Sequence, residues 1–138
     1  MIYHTIRLTL RPDAPADKVE AALDSLRNQG RVIPEVVSFV VGRDVGGAYT
    51  WGATFVLKDL DGYWAYLKHP AHRHTDEIGL PLVENFVSFD VTDDEDPEIA
   101  EKIAALHRRR YEEDPRSRGS CPTSPSYTGS SAPGPHGN

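Results

Sequence analysis

Tyr63-Trp64-Ala65-Tyr66-Leu67-Lys68-His69-Pro70-Ala71-His72 is the stretch on which the reading of this chain turns. Pro70 has no amide hydrogen and disfavours helical geometry at His69. The stretch cannot be one continuous helix. Asp59 to Lys68 reads as a short helix with Asp59 as its cap. The chain turns at His69-Pro70, and a helix restarts near His72 and runs toward Leu82. A broken helical segment between two strand-like runs is the second half of an α+β unit. The corner also frees Tyr66 and His72 from helical spacing, so that the two can face each other.

The strand before the corner is Tyr49 to Leu57, with Trp51, Ala53, Phe55 and Leu57 on one face. Further upstream, Val36 to Val41 is nearly all apolar and reads as a strand covered on both faces. Between these strands the glycines at 42, 46 and 47 form a loop with no dinucleotide-binding pattern. Val19, Ala22, Leu23 and Leu26 recur at helical spacing. That helix begins at Pro15-Ala16, and Gly30 reads as the residue just past its end. Ile2 to Leu10 alternates, with Ile2, His4, Ile6, Leu8 and Leu10 sharing a face. His4 is the polar member of that face. It is a core histidine satisfied by a neighbour, the commoner case, or it lines a cavity. After the corner, Val83 to Val91 is a strand. It carries Val83, Asn85, Val87, Phe89 and Val91 on one side, and Glu84, Phe86, Ser88 and Asp90 on the other.

The order strand, helix, strand, strand, helix, strand predicts an α+β, ferredoxin-like βαββαβ fold: a four-stranded antiparallel sheet with helices on one face. The opposite face would carry Val37, Val41, Val87, Phe89 and Val91. A bare apolar face calls for a partner, and a second copy packed face to face gives a homodimer, a dimeric α+β barrel. Residues 1–93 make up this domain. Residues 94–114 read as an added helix, with Asp96 as cap, Pro97 at its start, and a thin apolar seam of Ile99, Ile103 and Leu106. The run His107-Arg108-Arg109-Arg110 reads as a complement to the helix dipole. Residues 115–138 are rich in Ser, Pro and Gly and read as a disordered tail.

A net charge of −6 argues against general nucleic-acid binding. The single cysteine, Cys121, excludes an intramolecular disulfide and fits a reducing compartment. No run is long and apolar enough to span a bilayer, and the alternating N-terminus does not read as a signal peptide. These signs together point to a cytoplasmic protein. His69, His72 and His74 with Asp76 and Glu77 are dense, but they do not complete a ligand pattern, so no metal is expected.

An imidazole is the usual proton acceptor near neutral pH. A phenol can donate to a carbonyl oxygen that is gaining charge. Tyr66 and His72 together would suit removal of a proton next to a carbonyl. The same residues also have a purely structural reading, the commoner one for residues of these types. In it His69 caps a helix, His72 lies at the surface and the aromatics fill the core.

In order and spacing, several pieces together resemble the stress-responsive dimeric α/β-barrel (Dabb) family. They are Tyr3-His4-Thr5, Ile33-Pro34-Glu35-Val36, Gly42-Arg43-Asp44-Val45, Tyr49-Thr50-Trp51, His69-Pro70-Ala71-His72 and Phe89-Asp90-Val91. The resemblance covers Met1 to about Asp93. It implies a relation to polyketide cyclases of the olivetolic acid cyclase type, which close a poly-β-keto chain by an intramolecular aldol reaction without a cofactor. By that resemblance Tyr66 and His72 are the catalytic pair, and His4 orients the substrate or the proton network. Ile6, Leu8, Leu23, Leu26, Trp51, Ala53, Phe55 and Phe86 line the pocket. A third-strand histidine of those enzymes is replaced here by Trp51. Ala22, Leu23 and Leu26 stand where they carry aromatics, which implies a wider cavity. The implied partner is a polyketide-like small molecule, free or tethered to a carrier. Two other functions remain open: cofactor-free oxygenation of anthrone-like aromatics, and a non-catalytic stress-response dimer that binds a small hydrophobic ligand.

Overall fold

The computed structural model describes residues 1–114 and 127–129. Its elements are β1 (Ile2–Leu10), α1 (Ala16–Val32), β2 (Val36–Arg43), β3 (Trp51–Leu57), α2 (Leu60–Lys68), α3 (Pro70–Gly79), a 3-10 turn (Leu80–Leu82), β4 (Val83–Thr92), α4 (Ile99–Glu113) and β5 (Tyr127–Gly129). The sheet order is β2-β3-β1-β4-β5, so the first strand of the chain is the central one. The four long strands are antiparallel, and the fold is ferredoxin-like.

The sheet has five strands rather than four. Tyr127–Gly129 pairs in parallel with Phe86–Ser88, so part of the segment expected to be disordered joins the sheet edge. Gly129 has a φ of 101°, and a Cβ there would stand 1.8 Å from the Ser88 carbonyl oxygen, so only glycine fits. The rest of 115–138 lies outside the described residues.

Pro70 sits at the first position of α3, where its missing N–H costs nothing. His69 ends α2 and caps α3, its Nδ1 accepting from the Ala71 amide at 3.0 Å. The restart therefore comes two residues earlier than the sequence suggested. Asp59 caps α2 as expected, its carboxylate accepting from the Gly62 amide at 2.8 Å.

Gly30 does not end α1. The helix continues to Val32, and a Cβ on Gly30 would fall 2.2 Å from the Phe39 ring. Phe39 in turn stacks on Phe55 at 6.2 Å between centroids. Gly30 is thus the space into which a β2 side chain packs. Gly30→Ala would favour an isolated helix by about 1 kcal/mol. Here it is expected to destabilise, because overpacking costs about 1–3 kcal/mol. A urea midpoint at or above wild type would contradict this.

Register decides which side chains face the helices. Opposite β1, Phe55 pairs with His4, Ala53 with Ile6 and Trp51 with Leu8. On the other flank Asp90 pairs with His4, Ser88 with Ile6 and Phe86 with Leu8. All these point toward the helices. Two bulges correct the simple alternation. One between Val36 and Ser38 turns Val40 outward and Val41 inward, against Ala53. Another between Thr9 and Leu10 turns Val83 into the core. The open face thus carries Val40 at 62 %, Val91 at 59 % and Phe89 at 39 % exposure. Far from being covered on both faces, β2 is an edge strand with one side bare.

α4 is more than a thin seam. Ile103 joins the core, and His107, Arg110 and Tyr111 are also buried. Arg109 lies over the Trp64 ring, 4.1 Å from its centroid. Asp114 accepts from Arg73 Nε at 2.7 Å. These contacts fasten α4 across the α2–α3 corner.

Candidate active site

The corner, β1 and α1 enclose a cleft with about 750 Å³ of empty space, its mouth included. Its walls are mostly apolar: Ile6 and Leu8 from β1, Leu23 and Leu26 from α1, Leu80 from the 3-10 turn and Phe86 from β4. The polar lining gathers His4, Gln29, Tyr66, His72, Asp76 and Arg110.

His4, Tyr66 and His72 thus border one cleft. Ile6, Leu8, Leu23, Leu26 and Phe86 line it too. Trp51, Ala53 and Phe55 do not. They face the helices as the alternation required, but they lie on the β3 side of the sheet, away from the cavity. Phe55 packs against the back of the Tyr66 ring at 5.4 Å between centroids.

Tyr66 and His72 meet edge to face, with ring centroids 4.8 Å apart. Among the described residues the Tyr66 hydroxyl has no hydrogen-bond partner. Burial, with Asp76 adding to it, raises its pKa far above that of a free phenol. It is therefore a protonated donor, without an internal acceptor, on the wall of the cleft.

His4 is held from behind. Its Nδ1 lies 2.9 Å from Asp90 Oδ1 and 2.8 Å from the Tyr63 hydroxyl. Tyr63 donates to the same carboxylate oxygen at 2.8 Å, and its hydroxyl lies 3.1 Å from His107 Nε2. Burial alone would raise the Asp90 carboxyl. The surrounding His4, Tyr63 and His107 outweigh it and hold the group below the usual carboxylate range. An ionised carboxylate only accepts, so His4 Nδ1 carries the proton. In the neutral ring that leaves the lone pair on Nε2. A carboxylate behind an imidazole fixes its tautomer and stabilises the imidazolium that forms on proton uptake.

His72 sits between a cation and a carboxylate, with Asp76 Oδ2 3.6 Å from its Nδ1 and Arg110 closer. One guanidinium nitrogen of Arg110 lies 2.9 Å from its Nδ1 and 3.4 Å from its Nε2. The same nitrogen lies 3.2 Å from Asp76 Oδ2. Burial first, then the Arg110 charge, push the His72 pKa well below 6.5. The ring is neutral at physiological pH. Burial pushes the Asp76 carboxyl up to about 6, against the pull of Arg110.

Arg110, Asp76, Asp90 and Tyr63 were not among the residues expected at the site. Asp90 could have been found, since register places it opposite His4. Arg110 could not. It arrives from a helix outside the recognisable domain, and its run of basic residues reads as a surface feature. His69 is spent on the helix cap and His74 is exposed. Among the described residues no cluster of three or more His, Cys, Asp or Glu is placed to hold a metal. None of the described helices is long and apolar enough to cross a membrane.

The stress responsive A/B barrel domain matches residues 2–93. Among solved structures, a dimeric ferredoxin-like protein of unknown function from Thermobifida fusca is 28 % identical. That match covers 66 % of this chain and 89 % of the other, at a TM-score of 0.59. A Dabb family protein from Mesorhizobium loti is 24 % identical over 67 % of this chain and 96 % of the other, at 0.59. Hydroxynitrile lyase from Passiflora edulis shares the fold at 14 % identity, over 68 % of this chain and 94 % of the other, at 0.60. No curated protein matches.

Proposed function

The chain belongs to the stress responsive A/B barrel domain family, and on that premise we propose that its cleft is the active site of a cofactor-independent polyketide cyclase. The reaction is an intramolecular aldol closure of a poly-β-keto substrate. His4 Nε2 takes a proton from the methylene between two carbonyls, and the C–H electron pair passes into an enolate. The enolate carbon attacks a distant carbonyl of the same chain. A C–C bond forms, and that carbonyl oxygen becomes an alkoxide. Tyr66 donates to the developing oxyanion, and the His4 proton returns to neutralise the product. His72, neutral and backed by Arg110, contributes a polarised contact to the same oxygen. The aliphatic walls fold the substrate so that its reacting carbons meet, an advantage that is large for intramolecular reactions.

The observation that carries this reading is the electrostatic contrast between the two cleft histidines. The nearest charged group is a carboxylate for His4, at 2.9 Å, and a guanidinium for His72, at 2.9 Å, with the Asp76 carboxylate farther off at 3.6 Å. Groups pushed apart in this way divide the acid and base roles. The sequence alone favoured His72 as the base; its cationic neighbour favours His4. Oxygenation of anthrone-like aromatics rested on Trp51 together with His4 and His72; the two histidines line the cleft and Trp51 does not, so that reading loses its aromatic platform.

The same reading includes a homodimer. Solved relatives of this fold are described as dimeric, and the bare face of Val40, Phe89 and Val91 is suited to a second copy.

The direct test is proton exchange. In D2O, a β-diketone such as 2,4-nonanedione is expected to lose its central C–H signal faster with the protein than in buffer, without added metal or cofactor. Exchange at the buffer rate would remove the proposal.

A further inference from the structure

Gln29 is 2 % exposed, and its Oε1 is a buried acceptor with no hydrogen-bond partner. No hydrogen bond to its amide nitrogen occurs among the described residues either. A buried amide left unpaired costs free energy, and native proteins avoid it unless something else supplies the partner. Gln29 lines the cleft. Its level along the cleft follows from how α1 and α3 pack. Ala22 lies beside Gly79, and Ser25 bonds Thr75 side chain to side chain at 2.7 Å. The two helices are therefore antiparallel. One further turn along each brings Gln29 on α1 level with His72 on α3. The unpaired amide thus lies at the level of His72 along the cleft.

We propose that Gln29 is the specificity-determining residue of the cleft, binding one oxygen of a substrate that carries two oxygens on alternate carbons of an apolar chain. One oxygen is held at Tyr66 and His72, and the second meets the Gln29 amide. Rotation of the amide presents either N–H to a carbonyl or the carbonyl oxygen to an enol hydroxyl. A 1,3-dicarbonyl offers both forms. With only one oxygen, a ligand leaves the amide unpaired, and a site built for a hydrogen bond discriminates strongly against such an analogue. This deepens the cyclase reading and rests on it for the chemical class of ligand. Gln29 itself is a positioning residue.

The test compares binding of 2,4-nonanedione and 2-nonanone to the full chain by calorimetry, in wild type and in Gln29→Met. Methionine keeps the length and apolar volume while removing both polar atoms. Wild type is expected to prefer the diketone. Gln29→Met is expected to bind the diketone roughly ten- to a hundredfold more weakly and the monoketone unchanged. The variant should also melt at or above the wild-type temperature, since an unpaired buried group is removed. Three results would overturn the proposal: no diketone preference in wild type, equal preference in the variant, or a clearly lowered melting temperature, which would reveal a structural partner for the amide. Failure of the cyclase reading looks different. There the diketone binds selectively through Gln29 but its central hydrogens do not exchange.

Discussion

His4→Gln is expected to slow protein-catalysed exchange of the diketone methylene by roughly two to four orders of magnitude, the usual loss with a general base. Glutamine can still bond Asp90 and Tyr63, so the network behind position 4 is kept and the fold should survive. It lacks a nitrogen able to take the proton. His72→Gln should cost less, since the neutral ring at 72 assists a carbonyl and does not accept the methylene proton. Asp90→Asn should fall between, because an amide no longer stabilises the His4 imidazolium. The ordering of the three variants is the test. If His72→Gln abolishes exchange while His4→Gln leaves it largely intact, the two histidines carry the reverse roles.

Arg110→Met is expected to be the most disruptive single change in the added helix, in three measurable ways. Rate should fall about as far as in His72→Gln, because Arg110 acts on the developing oxyanion only through that ring. The His72 pKa should rise, because a neighbouring cation that opposes its protonation has gone; a ring-nitrogen NMR titration reads this directly. Stability should become strongly pH-dependent. Asp76 already has its carboxyl raised to about 6, and Arg110 is a cause acting in the lowering direction. Without it, the folded-state pKa rises further above its unfolded value near 3.8. A raised carboxyl contributes stability that is complete below the unfolded pKa and is lost as pH rises through the folded pKa. The variant should therefore be close to wild type near pH 4 and weaker above about pH 7. A buried charge stripped of its partner costs about 3–5 kcal/mol. Equal urea midpoints for the two proteins at high pH would contradict the coupling of Arg110 to Asp76.

The fold was legible because its determinants are local. Alternation in Ile2–Leu10, helical spacing from Val19 to Leu26 and the break at Pro70 each follow from a few neighbouring residues. What local pattern could not give is register. The bulges at Val36–Ser38 and Thr9–Leu10 each shift a strand by one residue, and so exchange Val40 for Val41 and turn Val83 inward. Gly30 misled for a related reason. A glycine near a helix end looks like a stop, but its cause lies in Phe39, on a different element.

The site was half legible. Tyr66, His72 and His4 could be named because the corner and the first strand place them. Which of them is suited to act as acid and which as base depends on second neighbours brought from far along the chain. Asp90 is 86 residues from His4, and Arg110 is 38 from His72. Trp51 faces the predicted side of the sheet but lies over the wrong strand, a lateral position that alternation does not encode.

The central place of β1 has a consequence for how the protein comes into being. Of the sheet's strands β1 leaves the ribosome first, yet it must wait for β3 before one edge is paired and for β4 before the other. Topologies dominated by such distant pairings fold slowly and leave sticky edges uncovered meanwhile. Until residue 110 has been synthesised, the emerging polypeptide holds His4 with no Asp90 or no Arg110 in place. The polar wall of the cleft is thus completed in one late step, after residue 110 has been translated.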